Sequence, residues 1–399
     1  MPAPLPADPF SLANRLDRIR SAGLFRTRRT ITTAQGALIR SEGRTFINFS
    51  SNDYLGLAND GRLVQALQSG AADYGVGSGA SPLICGRCRA HEELEEAVAR
   101  QLGRSRAVLF SSGYLANLAV INSFAPRRED VVVMDRENHA SLIDGALLAR
   151  ASLRRYAHND VTGLENLCAN DCALVATDGV FSMDGSIAAL SEIAALCARR
   201  RVLLAVDDAH GFGVLGKTGG GTPEHYSLDQ AQVPVLMGTF AKACGVMGAF
   251  VAGPDEVIET LIQTGRSYIY STAMPPALAA AAARALVIIE REPWRRERLR
   301  ALVGRFARGA QQLGLPVIPS GTPIQGLLVG SAEAAVSSSD YMRSKGIWLN
   351  AIRAPTVAKN TERLRITLSA VHSDEQVDRL LEALAQLAKR PGEKCGTGQ

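Results

Sequence analysis

A lysine and an acidic cluster, each following a short apolar segment, are the residues best placed to do covalent chemistry. Lys242 lies in GTFAKACG directly after the apolar segment VPVLM, while Asp207, Asp208 and His210 belong to VDDAHG after another apolar segment. An ammonium group is costly to bury, and Lys is almost never interior unless it is paired or takes part in chemistry. The ordinary alternatives are an Asp that caps a helix and a Lys whose amine extends to solvent, and spacing alone does not exclude them.

A parallel sheet would bring the two segments together. Apolar segments recur at AVLF, VVVMD, ALVATD, VLLAVDDAH, VPVLMG and VMGAFVAG, and most are separated by segments of helical length. This pattern predicts strands that are covered on both faces and joined by crossover connections. Such sheets bind ligands at the carboxyl ends of their strands. A Lys and an acid there suit pyridoxal phosphate (PLP), whose aldehyde bonds to the amine and whose pyridine nitrogen a carboxylate keeps protonated.

Two strand-to-helix junctions add possible cofactor contacts. FSSGYLANLAV places Ser111, Ser112 and Gly113 where backbone amides and a helix dipole favour a phosphate. NHASLIDGA places His139 at the next such junction, where its ring could lie flat on a planar group. Each junction alone is also typical of plain helix capping.

A phosphate-loop pattern nearby lacks its structural context. Residues 211–218, GFGVLGKT, match G-x-x-x-x-G-K-[ST], which needs a following helix to bind a nucleotide triphosphate. The next residues are GGGTPEHY, and three Gly and a Pro disfavour a helix by several kcal/mol, at about 1 for each Gly and about 3 for Pro. We therefore expect no helix there and no phosphate loop.

Composition excludes some classes of protein. The 399 residues carry a net charge of +5, and no apolar segment reaches the ~18 to 20 residues of a membrane span. Six Arg between Arg15 and Arg29 favour a basic amphipathic helix over a nucleic-acid-binding arm. The odd number of Cys, seven, predicts free thiols, and Cys85 and Cys88 lack the second ligand pair of a metal site. With no signal-peptide pattern, we expect a cytoplasmic protein that binds neither membrane nor nucleic acid.

Eight motifs occur in an order that resembles the α-oxoamine synthases, a family of fold-type I PLP enzymes. They are SNDYLGLA, FSSGYLAN, DRENHASLIDG, YAHND, TDGVFSMDG, VDDAHGFG, GTFAKACG and YIYSTAMPP. The resemblance implies an α/β fold whose large domain has a mainly parallel seven-stranded sheet between helices, with a smaller C-terminal α+β domain. We expect an N-terminal helical and extended segment over 1–60, the PLP-binding domain over 61–290 and the small domain over 291–399.

The resemblance also implies roles for residues at matching positions. Lys242, His139, Asp207 and His210 would be catalytic, and Arg365 would bind the amino-acid carboxylate. The residues implied to bind PLP are Lys242, Asp207, His210, Ser182, Ser112, Gly113, Tyr114, His139 and Thr239, with Ser271 and Thr272 from a partner subunit. The residues implied to bind substrate are Arg26, Asn52, His139, Thr356 and Arg365. No metal is implied.

Within that family, residues 351–372 resemble the branch that condenses L-alanine with a pimeloyl thioester. Either CoA or an acyl carrier protein could deliver the acyl group, and a homodimer is implied because sites of this family usually form between two subunits. Ala354 and Ala358 stand where proline is usual and Asn360 where glycine is common, which leaves acyl-chain recognition open. The alternatives are a sister enzyme that condenses glycine with another acyl-CoA, and a catalytically silent partner subunit.

Overall fold

The computed structural model describes residues 11–168 and 171–390 of the chain. Its strands are β1 (Leu38–Ser41), β2 (Arg44–Asn48), β3 (Arg106–Phe110), β4 (Val131–Asp135), β5 (Ser152–Tyr156), β6 (Cys172–Asp178), β7 (Leu203–Asp207), β8 (Val235–Thr239), β9 (Ala249–Gly253), β10 (Val317–Ile318), β11 (Ile324–Leu328), β12 (Ile347–Trp348), β13 (Asn350–Ile352) and β14 (Arg363–Thr367). Its α-helices are α1 (Leu12–Ser21), α2 (Gly61–Tyr74), α3 (Arg89–Leu102), α4 (Gly113–Phe124), α5 (Ala140–Ala149), α6 (Val161–Leu167), α7 (Leu190–Arg200), α8 (Thr222–His225), α9 (Asp255–Thr264), α10 (Arg266–Ile269), α11 (Pro276–Arg291), α12 (Trp294–Gln312), α13 (Ala332–Ser344) and α14 (Asp374–Ala388).

The central sheet has seven strands in the order β3-β9-β8-β7-β6-β4-β5. Strand β9 runs antiparallel to β3 and β8, and the other neighbours are parallel. Every residue of β4, β8 and β9 is buried, as expected for strands covered by helices on both faces. The predicted mainly parallel seven-stranded sheet and the α/β fold class are therefore confirmed.

All six apolar segments form strands, but the apolar pattern does not reveal β5. Its sequence SLRRY carries two Arg, and most of its residues are exposed or half-buried. Strand β5 lies at one edge of the sheet and pairs only with β4, so it is not covered as the inner strands are.

The carboxyl ends of the inner strands bring the predicted chemical groups to one edge. In the parallel register, Asp178 at the end of β6 stands beside Asp207 at the end of β7, and Asp207 stands beside Met237 in β8. Ser112 caps α4 by accepting a hydrogen bond from the Leu115 N–H, and His139 caps α5. Helices α4 and α5 pack against each other, which sets their amino-terminal ends side by side.

A second, antiparallel sheet in the order β10-β11-β14-β13 forms the C-terminal part of the structure. Helices α12, α13 and α14 pack against one another or against this sheet. Strand β2 pairs with β1 and, in parallel, with β12, so a strand near the amino terminus is hydrogen-bonded to the C-terminal region. The division into domains over 1–60, 61–290 and 291–399 stays a prediction.

The expectation that no helix begins in GGGTPEHY is wrong, because Thr222–His225 forms the single helical turn α8. Pro223 lies in the first turn, where the missing N–H of proline costs no helical hydrogen bond. The buried Asp208 carboxylate accepts hydrogen bonds from the Thr222 N–H, at 2.7 Å, and from the Thr222 hydroxyl. This acceptor at the start of α8 offsets the poor propensity of the glycines.

The basic segment predicted to be helical forms α1, which has no buried residue. Leu12 and Leu16 are exposed on it beside its Arg side chains. Among residues 11–168 and 171–390, no helix combines the length and hydropathy that crossing a bilayer requires.

The helix α14 yields a test of the packing in the C-terminal part. Ser373 accepts a hydrogen bond from the Gln376 N–H at 3.2 Å, and the Gln376 side chain accepts one from the Ser373 N–H at 3.0 Å. Ser373→Ala removes this capping box and should lower the free energy of unfolding by about 1 kcal/mol. Urea unfolding followed by circular dichroism should show a lower midpoint. Ser69→Ala, at an exposed position inside α2, should keep or slightly raise the midpoint, so equal midpoints for the two variants would contradict the assigned cap.

Candidate functional site

A cavity of about 160 Å³ lies at the carboxyl edge of the central sheet. It is lined by Gly113, Tyr114, Asn117, His139, Ser141, Asp178, Ser182, Asp207, Ala209, His210, Met237, Thr239 and Lys242. Residues from strands β6, β7 and β8 and from the starts of α4 and α5 therefore meet in one place. The structure brings together the predicted Lys, Asp and two His residues.

Lys242 lies in the turn that follows β8, with its side chain partly exposed to the cavity. Among the described residues, no hydrogen bond or ion pair reaches its amine. Burial lowers the pKa of Lys242 to about 8, although the charges of Asp207 and Asp178 act in the opposite direction. A substantial share of the amine is therefore neutral near physiological pH, and only the neutral amine can act as a nucleophile or a base.

Asp207 is held by donors on both carboxylate oxygens. The Asn117 side chain donates to Oδ2 at 2.7 Å, and the Ala209 N–H donates to Oδ1 at 3.0 Å. Asn117 also donates to the Ser141 hydroxyl at 2.8 Å, which connects α4 to α5 beneath the cavity. The structure therefore holds the Asp207 carboxylate in one orientation, in which it can bind a protonated ring nitrogen.

Asp178 is a second buried carboxyl group in the cavity, and it was not among the predicted site residues. Burial raises its pKa well above the ordinary value, and the charge of the adjacent Asp207 adds to the effect. Its carboxylate accepts the His139 N–H at 3.1 Å, so it also fixes the start of α5.

His139 is exposed at the mouth of the cavity in the single chain, and its ring is oriented by Ser141. Its Nδ1 atom lies 2.7 Å from the Ser141 hydroxyl and accepts a hydrogen bond from the Ser141 N–H at 3.3 Å. One face of a fixed, open imidazole is available to stack on a planar group. The position agrees with the predicted role, which stays a prediction.

His210 belongs to a hydrogen-bonded network that ends at Arg365. The Tyr54 hydroxyl lies 2.6 Å from His210 Nδ1 and donates to the Asn52 side-chain oxygen at 3.3 Å. Burial lowers the pKa of His210 well below its ordinary value, with a further effect from the Lys242 charge, and burial raises the pKa of Tyr54. Both groups are therefore neutral, so His210 carries a single ring proton.

Arg365, in β14, is positioned by two acceptors. Its Nε donates to the Ser182 carbonyl at 2.6 Å, and its Nη1 donates to the Asn52 side chain at 3.1 Å. The guanidinium is half-buried, and Ser182 itself lines the cavity. A fixed guanidinium beside the Lys242 cavity is suited to bind a carboxylate with two parallel hydrogen bonds.

The residues predicted to bind the cofactor phosphate lie where α4 begins. Gly113, Tyr114 and Thr239 line the cavity, whereas Ser112 stands beside them as the cap of α4. The Thr239 hydroxyl donates to the Gly248 carbonyl at 2.8 Å and accepts the Ala241 N–H at 3.1 Å. The start of a twelve-residue helix is suited to bind a phosphate.

Of the predicted residues that do not line the Lys242 cavity, Ser112, Asn52 and Arg365 are adjacent to it, and four others line different surfaces or lie in a turn of the single chain. Ser271 and Thr272 line a separate small pocket beside His91. Arg26 lines a broad groove of about 1210 Å³ together with Arg353, and Thr356 is exposed in a turn that follows Arg353. Their roles stay predictions, and for Ser271 and Thr272 the expected contribution is to the site of a partner subunit.

At the end of the phosphate-loop pattern, residues 211–218, the hydrogen-bond donors already have an acceptor within the protein. The Glu224 carboxylate accepts hydrogen bonds from the backbone N–H groups of Thr218, at 3.0 Å, and Gly220, at 2.7 Å. It also accepts one from the Thr218 hydroxyl at 3.0 Å. These donors are directed to a fixed internal carboxylate, so the segment does not present them to a nucleotide.

The missed residues Tyr54, Asn117, Ser141 and Asp178 all lie inside motifs that carry the family resemblance. Asn117 is four positions after Gly113 in α4, and this spacing places both on one face of a helix. That spacing could have indicated Asn117 from the sequence. The contact between Tyr54 and His210 spans 156 positions and leaves no local signal.

The donor set of the cavity fits PLP. It contains an amine with a lowered pKa, an anchored carboxylate, an open imidazole face and a helix start, which match the aldehyde, pyridine nitrogen, ring and phosphate of that cofactor. Within residues 11–168 and 171–390, no three His, Cys, Asp or Glu side chains are grouped to hold a metal ion.

Comparison with known proteins agrees with this chemistry. The family described as aminotransferase class I and II matches residues 44–384. The 8-amino-7-oxononanoate synthase of Pseudomonas paraeruginosa is 51% identical over 94% of this chain and 94% of its own. That of Stutzerimonas stutzeri is 50% identical over 97% of this chain and 99% of its own.

Two solved structures share the fold over most of the chain. Serine palmitoyltransferase from S. paucimobilis, with bound PLP–myriocin aldimine, is 25% identical with a TM-score of 0.89, covering 95% of this chain and 97% of its own. The 8-amino-7-oxononanoate synthase of Francisella tularensis is 31% identical with a TM-score of 0.77, covering 86% and 98%. The predicted family resemblance is confirmed. The chain therefore belongs to the aminotransferase class I and II family, within the 8-amino-7-oxononanoate synthases, and its cofactor is PLP.

Proposed function

We propose that the chain condenses L-alanine with a pimeloyl thioester, releasing CO2, the free thiol and 8-amino-7-oxononanoate, as a step of biotin biosynthesis. The observation that carries the proposal is the 51% identity over 94% of the chain to a synthase of that name. The geometry supports it, because an amine and an anchored carboxylate line one cavity, and a guanidinium lies beside it, hydrogen-bonded to the Ser182 carbonyl.

Four residues hold the cofactor in this proposal. Lys242 binds its aldehyde covalently, Asp207 binds the pyridine nitrogen, His139 covers the ring, and the start of α4 at Gly113 faces the phosphate. When bound, PLP supplies an electron sink that stabilises negative charge at the amino-acid Cα. The neutral His210 donates a hydrogen bond from Nε2 to the ring hydroxyl oxygen in this proposal, while its Nδ1 is hydrogen-bonded to the Tyr54 hydroxyl.

Arg365 and Lys242 act on the amino acid. Arg365 binds the alanine carboxylate, and Asn52 and the Ser182 carbonyl keep its planar fork in place. After the alanine amine has displaced it from the cofactor aldehyde, Lys242 Nζ, with a pKa lowered to about 8, accepts the proton from the alanine Cα and can later return one to the product. The Cα then attacks the thioester carbonyl, the thiol leaves, and the β-keto acid so formed loses CO2.

The acyl donor and the assembly are part of the same proposal. The thiol of the donor is that of CoA or of an acyl carrier protein, and Arg26 and Thr356 contact the acyl substrate. A homodimer would place Ser271 and Thr272 of one subunit at the phosphate of the other, which explains why they lie away from Lys242 in a single chain.

The proposed substrates can be tested by steady-state kinetics. The PLP-saturated protein should turn over L-alanine with a pimeloyl thioester at a higher kcat/KM than glycine, or serine, with acetyl-, succinyl- or palmitoyl-CoA. Faster turnover of glycine with acetyl-CoA would contradict the proposal. Parallel assays with pimeloyl-CoA and a pimeloyl carrier protein should identify the preferred donor.

The role of Lys242 can be tested by substitution and by chemical labelling. Lys242→Ala should lower kcat by at least about 10³-fold, since it removes both the covalent link and the base. After borohydride reduction, mass spectrometry should find the cofactor on the Lys242 peptide of the unmodified protein. Lys217→Ala, at an exposed position, is the matched control and should keep both properties. A reduced cofactor bound to another lysine would refute the assignment.

A further inference from the structure

The motif YAHND contributes no group to the Lys242 cavity, yet its His158 lies in a dense network. His158 Nδ1 is 3.2 Å from an oxygen of Asp135, the last residue of β4. Its Nε2 is 2.9 Å from the Ser186 hydroxyl and 3.9 Å from the Asp184 carboxylate. The ring stands edge-on to the buried Phe181, with centroids 4.3 Å apart.

Phe181, Asp184 and Ser186 belong to residues 180–187, which we call the Ser182 hairpin. Its ends are joined by an antiparallel bridge between Val180 and Ile187. His158 therefore fastens this hairpin to the end of β4.

The groups around both ring nitrogens of His158 are suited to an imidazolium. Asp135, which also accepts backbone hydrogen bonds from Glu137 at 2.8 Å and Asn159 at 2.7 Å, offers an acceptor to Nδ1. The Ser186 hydroxyl donates to Asp184 at 2.8 Å, which leaves its oxygen available to accept a hydrogen bond from Nε2. The Asn159 side-chain amide lies 3.5 Å from Nε2 and donates to the Ile187 carbonyl at 3.2 Å. In this arrangement both ring nitrogens can donate.

The charges around His158 favour that state. Asp135 from β4, Asp184 from the hairpin and Glu137 from the loop after β4 face it, and they raise its pKa against the opposing effect of burial. Asp184 and Glu137 also lie close to Arg363 of β14, and their charges act on the pKa of that guanidinium. These acidic groups therefore lie near two basic residues, His158 and Arg363, and of the two only His158 can lose its proton near neutral pH.

The other side of the Ser182 hairpin reaches the C-terminal sheet. The Gly185 carbonyl accepts hydrogen bonds from the hydroxyls of Ser320 and Thr322, both at 3.0 Å. A side chain at Gly185, where φ is +78°, would come within 2.3 Å of the Ile324 carbonyl oxygen. The Ser182 carbonyl, between the two anchored ends, accepts the 2.6 Å hydrogen bond from Arg365.

We propose that His158 is a positioning residue whose imidazolium fastens the Ser182 hairpin to Asp135, so that the Ser182 carbonyl orients Arg365 toward the amino-acid carboxylate. The inference rests on the proposed function through the role of Arg365. No group of His158 touches the substrate, and its effect passes through the hairpin.

The arrangement gives the hairpin a pH dependence of known sign. Because the pKa of His158 is raised in the folded protein, the contacts of the imidazolium are complete at acidic pH and are lost as pH rises through that pKa. After deprotonation, the Ser186 hydroxyl can donate to Nε2 only by leaving Asp184. The Ser182 hairpin should therefore exchange its amide protons more readily at alkaline pH.

The experiment uses the PLP-bound protein and four forms of the chain. They are the unmodified protein, His158→Gln, Asp184→Asn, and the control His225→Gln, which changes an exposed histidine in α8. Hydrogen exchange of residues 180–187 is measured at pH 6 and pH 9 and corrected for the intrinsic pH dependence. In parallel, kcat and KM for L-alanine are measured with a saturating pimeloyl thioester.

We expect the unmodified protein and His225→Gln to protect the hairpin at pH 6 and to lose protection at pH 9. His158→Gln should be poorly protected at both values. Its KM for L-alanine at pH 7 should rise on the order of tenfold while kcat changes less than about twofold, because a displaced Arg365 weakens ground-state and transition-state binding alike.

Unchanged protection in His158→Gln, or a fall in kcat without a rise in KM, would overturn the proposal. If His158→Gln does not fold, Asp184→Asn decides the matter, because it keeps the ring packed on Phe181 and removes only a charged acceptor. It should shift KM and protection in the same direction, and its equivalence to the unmodified protein would equally refute the inference. Absence of turnover in the unmodified protein would instead count against the proposed function, while hydrogen exchange would still report on His158.

Discussion

The burial of the Lys242 amine beside carboxylates at one sheet edge is the interaction on which the site depends. Burial favours the neutral amine, whereas the charges of Asp207 and Asp178 favour the ammonium, and burial prevails far enough to lower the pKa to about 8. A more open site would leave the amine charged and unreactive. The parallel register of β6, β7 and β8, which is enforced by their buried side chains, holds these groups at fixed separations.

The same burial acts in opposite directions on the other ionisable groups. It lowers the pKa of His210 and raises the pKa of Asp178 and Tyr54, so each is driven toward its neutral form. Asp207 receives hydrogen bonds from Asn117 and Ala209 on both of its oxygens. It is thereby held in one orientation as an acceptor, which a protonated pyridine nitrogen requires.

Much of this architecture could be predicted from the sequence, because inner strands must be apolar and motif residues must follow them. The apolar pattern does not reveal the edge strand β5, because two of its exposed or half-buried positions carry Arg. The helical turn α8 forms against its local propensity because a distant carboxylate, Asp208, caps it. Tyr54 could not be found by spacing, since its contact with His210 joins remote parts of the chain. Tertiary contacts of this kind override local preferences and have no local signature.

The hydrogen bond between Asn52 and Arg365 joins residues 313 positions apart, and β2 is paired with β12 in the same region. On a ribosome, where the amino-terminal parts of a chain emerge first, the carboxylate-binding end of the site cannot exist until β14 has been synthesised. The residues that line the cofactor cavity, from Gly113 to Lys242, are synthesised earlier, and their sheet is completed when β9 pairs with β3 and β8. The carboxylate-binding end is therefore the last part of the site to form.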